Sequence, residues 1–294
     1  MSGTQIIDDK SPICIPFILE RLKVHNATNQ TRPFVIGLNG VQGAGKTTLV
    51  RALASKLQEG EGLQTLVCSI DDFYLTRQDQ KALAESHPGN SLVQVRGEPG
   101  THDVQLARDF FTALNHGQQV KVPQYDKSAY SGQGDRVSES QWETVNEPGQ
   151  PRIRIVIFEG WCVGFRPLAP AEVSQKRDAP SRTLHRHPLD HLTFINDRLR
   201  DYDAITDMFD AFIHIDAEDT QWVYDWRLEQ EIMLRSQKGT GMTDAQVVKF
   251  VDAYYPAYEL FSDKLRSGLF PGKPGCQLRL VVGRDRKVKQ TIFL

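Results

Sequence analysis

Short apolar runs recur along the chain at residues 34–38, 65–70, 153–158, 211–215 and 278–282. Each is only a strand's length and carries little polar alternation, the pattern of strands buried on both faces. Between them the period lengthens. Leu49, Leu53 and Leu57 share one face of a helix predicted over 46–57, ended by Gly60 and Gly62. Residues 103–115 (DVQLARDFFTALN) and the charged segment 222–236 also predict helices, as does 243–255, with Thr243 as its cap and Pro256 ending it. Ser11-Pro12 opens a further helix carrying Ile15, Ile18, Leu19 and Leu22. A sixth strand, 288–294, pairs back through the polar turn 284–287. Short apolar strands alternating with helices predict an α/β domain. Its sheet is mostly parallel and five-stranded, flanked by helices, with a C-terminal strand pair.

Two stretches have no period. Residues 123–151 are rich in Gly, Ser, Gln and Pro and read as a long structured loop. Residues 166–191 are proline-rich and basic and read as a loop insertion, with His185 and His187 on its surface. The whole chain, 1–294, is read as one domain.

Composition narrows the classes. Hydrophobic content of 39%, charged content of 24% and a formal net charge of −2 suit a soluble globular protein and disfavour a general nucleic-acid or membrane binder. Cys14, Cys68, Cys162 and Cys276 show neither a C-x-x-C pair nor metal spacing. Cys68 and Cys162 lie in or beside apolar runs and read as buried free thiols in a reducing compartment. The first residues carry acids, and Pro12 and Pro16 interrupt the apolar patch, so no secretory signal is read there and the cytosol is expected.

The chemistry begins after the first strand. Gly40-Val41-Gln42-Gly43-Ala44-Gly45-Lys46-Thr47 fits G-x-x-x-x-G-K-[ST], and it leads into an amphipathic helix, the setting this motif requires. The glycines let backbone N–H groups wrap a polyphosphate, and the helix aims its positive end at the same anion. Residues 40–48, Thr48 included, are the expected nucleotide site. Lys46 is expected to reach the β- and γ-phosphates, and the Thr47 hydroxyl to ligate Mg²⁺. The chain contains neither N-K-x-D nor L-S-G-G-Q, which favours a small-molecule kinase over a GTPase switch or transporter ATPase.

Asp71 and Asp72 follow the second strand and Glu159 the third. Ligands of parallel sheets bind beyond the carboxyl ends of the strands, so these acids share a rim with Gly40. Extended neighbours point to opposite sides, so one aspartate of the pair faces the cleft. There it can take the proton of a hydroxyl that attacks the γ-phosphate. Glu159 is placed to hold Mg²⁺ through water, one methylene longer than the usual aspartate.

Asp71-Asp72-Phe73-Tyr74, Arg96-Gly-Glu-Pro-Gly-Thr-His-Asp103, Tyr125-Asp-Lys-Ser128, Gly134-Asp-Arg136 and Phe158-Glu-Gly-Trp161 together resemble the plant glycerate kinase family and its fungal ATP-dependent kinase relatives. Trp226-Arg227-Leu228 and Tyr255-Pro-Ala-Tyr258 fit the same pattern, and the match runs in order from about residue 33 to the C-terminus. More distantly, Ser69-x-Asp71-x-Phe73-Tyr74 looks like uridine kinase and its phosphoribulokinase and pantothenate kinase cousins. The resemblance implies a P-loop NTPase fold, ATP and Mg²⁺ as cofactors, and Asp71, rather than Asp72, as the catalytic base. D-Glycerate is the acceptor it suggests first.

A small anionic acid needs a fixed cation, and arginine can hold a carboxylate through two parallel hydrogen bonds. Arg96 and Arg136, in loops matching the family's patterns, are the candidates, with His102, Tyr125 and Lys127 as further hydrogen-bonding groups. Arg227, Glu231 and Arg235 follow i, i+4 spacing. That spacing supports either an ion-paired surface or a helical lid (222–258) bringing Arg227 onto the transferring phosphoryl group. Arg235 is read as surface. The expected activity is transfer of the ATP γ-phosphate to a hydroxyl of a small hydroxy acid. Alternatives are a kinase of another small hydroxylated metabolite and a regulatory ATPase without such an acceptor. No protein partner is indicated.

Overall fold

The computed structural model describes residues 8–28, 30–239 and 241–294. The apolar runs become β1 (Phe34–Gly40), β2 (Thr65–Ser69), β3 (Ile155–Gly160), β4 (Ala211–Ala217) and β5 (Gln277–Val282). All pair in parallel, and β6 (Val288–Phe293) adds antiparallel to β5. The order across the sheet is β6-β5-β4-β1-β3-β2. Every residue of β1 and β4 is buried, which is why their runs are mostly apolar and do not alternate. The chain leaves β1 toward β2 on one side and later returns to β4 on the other. The carboxyl end of β1 is therefore a topological switch point, where α/β sheets open a crevice for ligands.

Helices cover both faces. In α1 (Ser11–Ala27), Phe17, Ile18 and Leu22 face the core, and Ser11 opens the helix from within, with Lys10 at the cap position. In α2 (Lys46–Ser55) Leu49 and Leu53 are buried, and Leu57 continues the stripe through a π-helical turn. Each such side chain contributes roughly 1.5–3 kcal/mol by leaving water. The short α3 (Arg77–Ser86) buries none of its residues, so no apolar stripe announced it. Asp103 Oδ1 caps α4 (Val104–Asn115), accepting from Leu106 N at 3.0 Å.

The expected loop insertion at 166–191 is instead folded. It contains α5 (Pro170–Asp178) and the start of α6 (Leu189–Thr206). Leu168, Val173 and Leu184 anchor it in the core, and the Glu259 carboxylate accepts from the backbone of Arg182 and Thr183. Residues 123–151 are a loop with small ribbons, Tyr125–Asp126 pairing with Asp135–Arg136 and Thr144–Val145 with Val120–Lys121. Beyond α7 (Trp222–Lys238) and α8 (Asp244–Asp252), Pro256 does not simply end a helix. It sits in the first turn of α9 (Tyr255–Ser267), where its missing N–H costs nothing. Cys14, Cys68 and Cys162 are buried free thiols. Among the described residues no helix is long and apolar enough to cross a membrane.

Candidate active site

The motif loop lies at the switch point. Gly43 and Gly45 have φ of +80° and +95°, where a side chain would be strained. Gly43 is constrained a second time, since a Cβ there would stand 2.5 Å from the Cβ of Trp226 on α7. The loop is braced from outside. Arg286, in the β5–β6 turn, donates through Nε to Gly43 O at 2.8 Å. The Gln42 N–H donates to the Tyr258 hydroxyl at 3.3 Å. Lys46 folds over the loop and donates through Nζ to Gly40 O at 2.7 Å and Val41 O at 3.3 Å. Burial lowers the Lys46 pKa, opposed by the charges of Glu159 and Asp71. Thr47 and Thr48 are exposed.

The adjacent aspartates are parted by a turn, not by strand alternation. β2 stops at Ser69, and Ile70–Phe73 form a 3₁₀ turn. Ser69 Oγ accepts from Asp71 N at 3.3 Å, and Ser69 N donates to Asp72 Oδ2 at 3.1 Å. Asp72 is thus a capping acceptor. Burial, with the charges of Asp71 and Glu159, raises its pKa to about 6 against that N–H bond. Asp71 Oδ2 accepts from Lys127 Nζ at 2.5 Å, while Asp71 Oδ1 is buried with no partner. Burial alone would raise the Asp71 pKa, but the ammonium groups of Lys127 and Lys46 outweigh it and hold the carboxyl below its ordinary value. Glu159 pairs in register with Leu38 of β1 and Ser69 of β2, and its Oε2 is also buried without a partner.

Both loop arginines bond protein oxygens. Arg96 donates through Nη1 to Gly132 O at 2.9 Å and to Gln133 O, and through Nη2 to Lys127 O at 3.4 Å. It clasps a loop in which Tyr130 and Ser131 both adopt left-handed φ, 50° and 58°. Such residues cost roughly 1–3 kcal/mol each unless their surroundings hold them. Arg136 donates to Tyr74 O at 2.9 Å and to Asp103 Oδ2 at 3.0 Å. Arg96 would have to release loop carbonyls to grip an acceptor carboxylate through its Nη atoms, whereas Arg136 Nε is buried with no partner. Tyr125 packs edge-on against Tyr74, with ring centroids 5.3 Å apart. His102 stacks on Tyr74 at 4.4 Å, and its Nδ1 lies 2.7 Å from the Tyr202 hydroxyl. Gly100 N donates to that hydroxyl at 3.0 Å. His102 Nε2 is a buried atom with no partner. Burial lowers the His102 pKa to about 4, so the ring is neutral.

No family model matches the chain. A kinase of Schizosaccharomyces pombe without assigned activity, mug58, is 38% identical over 97% of this chain and 98% of its own. The solved D-glycerate 3-kinase of Cryptococcus neoformans superposes with a TM-score of 0.85 and 35% identity, covering 95% of this chain and 97% of that one. The chain belongs to the glycerate kinase family. The chloroplastic D-glycerate 3-kinase of Arabidopsis thaliana is 38% identical over 82% of this chain, which spans 51% of that protein. This kinase is therefore an ATP-dependent phosphotransferase acting on a hydroxyl of a small molecule.

In this kinase α7 is packed on the phosphate loop through Trp226, whose Nε1 donates to Arg284 O at 2.8 Å. Arg227 pairs with Glu231 one turn on, and its guanidinium lies 4.9 Å from the Phe250 ring centroid. Arg235 bonds Met242 O at 2.6 Å and Asp244 Oδ1 at 2.8 Å, joining α7 to α8. The braces Trp226, Tyr258 and Arg286 were not among the expected site residues. Trp226 and Tyr258 lie in matched motifs, but nothing in the sequence links Arg286 to a loop 243 residues away.

Proposed function

We propose that this kinase phosphorylates a hydroxyl of D-glycerate, with Asp71 as the proton acceptor. The observation that carries this reading is a carboxylate with one bare, buried oxygen on the rim that holds the phosphate loop. Lys46 and the loop amides of residues 40–48 would cradle the ATP phosphates. The acceptor hydroxyl would hydrogen-bond Asp71 Oδ1. As its oxygen bonds the γ-phosphorus and the bond to ADP breaks, its proton passes to that carboxylate. The Thr47 hydroxyl and Glu159, whose Oε2 lacks a protein partner, form an all-oxygen donor set that fits Mg²⁺. When bound, the ion would neutralise phosphate charge. D-Glycerate is named for the Cryptococcus and Arabidopsis relatives, which supports it as acceptor here.

The commitment of Arg96 to loop carbonyls favours a second reading, in which the acceptor is an uncharged polyol that needs no such arginine. ADP release measured with a panel of hydroxy acids and polyols separates the two. Stimulation by D-glycerate above all others is expected. Stimulation by a neutral polyol alone, with D-glycerate inert, would replace it.

A further inference from the structure

Glu98 stands out among the titratable groups that the proposed chemistry leaves unused. It is 1% exposed, and neither carboxyl oxygen has a hydrogen-bond partner. A carboxyl buried without partners costs several kcal/mol in principle, so such groups are rare unless something offsets the cost. Its surroundings are specific. The backbone beside it abuts the aromatic block, since a Cβ at Gly97 would stand 2.6 Å from the Tyr254 ring. His102, on the same loop, stacks at 4.4 Å on Tyr74, which follows the turn carrying Asp71, so the two segments that bear the carboxyls meet. Trp161 packs edge-on against Tyr254 and Tyr258, at 5.0 Å and 5.4 Å, and its Nε1 is a second buried polar atom without a partner. Tyr254 donates to Arg96 O at 3.3 Å, fixing this aromatic block to the loop that carries Glu98.

We propose that Glu98 is a specificity-determining residue of the acceptor site, whose carboxyl hydrogen-bonds a hydroxyl of the acceptor other than the one phosphorylated. This rests on the kinase reading above. Burial pushes the carboxyl above its ordinary range, toward the acid form that can both donate and accept. It can meet a hydroxyl without placing a second negative charge beside a carboxylate-bearing substrate. The substrate class it implies is a compact molecule with at least two hydroxyls.

The test compares Glu98→Leu and Glu98→Gln with the wild type on two acceptors, D-glycerate and 3-hydroxypropionate, which lacks the second hydroxyl. In the wild type the KM for D-glycerate is expected to be lower by roughly tenfold or more, the ratio that loss of ~1.4 kcal/mol gives. Glu98→Leu should erase that preference and leave the KM for ATP within about twofold. It should also raise Tm, because an unpaired acid is replaced by an apolar side chain of similar size. Glu98→Gln should keep part of the preference. A raised Tm with the preference intact would make Glu98 a strained core residue and overturn the proposal. So would a wild type indifferent to the second hydroxyl, a measurement that needs no variant to fold. A wild type that phosphorylates no acceptor while binding ATP would instead sink the kinase reading, and this inference with it.

Discussion

Lys127 Nζ lies 2.5 Å from Asp71 Oδ2, and this pairing divides the work of the aspartate between its two oxygens. One is committed to the ammonium; the other is buried and bare. Lys127 also depresses the Asp71 pKa, keeping the carboxylate ionised. The acid limb of the pH–rate profile therefore depends on Lys127. With Asp71 as the proposed proton acceptor, activity is lost as pH falls through its pKa, so Lys127→Met should move that limb upward in pH. A profile of kcat/KM against pH for both proteins checks the sign. An unmoved limb would separate Lys127 from the titration of Asp71.

Arg96 clasps the strained loop that presents Lys127. Arg96→Met should lower kcat about as far as Lys127→Met. The double variant should be little worse than either, a coupling of roughly 0.5–3 kcal/mol between residues of one network. If Arg96 instead grips the acceptor directly, Arg96→Met raises the acceptor KM, and its effect adds to that of Lys127→Met.

Gly43 should tolerate no side chain. Gly43→Ala would place a Cβ in a left-handed backbone, against Trp226. An increase of about tenfold or more in nucleotide Kd is expected, from strain of roughly 1–2 kcal/mol before any overlap is counted. Isothermal titration with a non-hydrolysable ATP analogue measures it. Unchanged affinity would mean the loop does not need this packing.

His214 predicts a pH dependence of stability away from the chemistry. It is buried on β4, and burial lowers its pKa to about 4 from 6.5. In that window the unfolded chain binds the proton and the folded one does not, so stability falls as pH drops from about 6.5 to 4. His214→Gln should flatten the slope of Tm against pH there, whatever it does to Tm at pH 7. An unaltered slope would assign the acid sensitivity elsewhere, His102 being the next group with the same shift.

What was legible in the sequence was local chemistry. Gly40 to Thr47 could be read because glycines, lysine and helix all fall within a short span, and the strands themselves could be read from short apolar runs. Asp71 and Asp72 were placed on the right rim, but by the wrong geometry. The Ser69 capping turn, not pleat alternation, parts their side chains. α6 escaped notice although Leu192, Ile195, Leu199, Tyr202 and Ile205 are buried at helical spacing. That stripe is narrow, diluted by charged neighbours, and follows a proline-rich stretch. The tie from Arg286 to Gly43 and the commitment of Arg96 to loop carbonyls depend on long-range packing, on which spacing along the chain is silent.

The central claim is that Asp71 takes the acceptor's proton beside a nucleotide held by the glycine-bounded loop. Asp71→Asn keeps the side chain's size and removes its basicity. Turnover of wild type and variant with ATP and D-glycerate, together with nucleotide Kd, tests it most directly. We expect kcat to fall by roughly 10²–10⁴-fold with nucleotide Kd nearly unchanged. Acceptor-dependent turnover at the wild-type rate in Asp71→Asn would contradict the account.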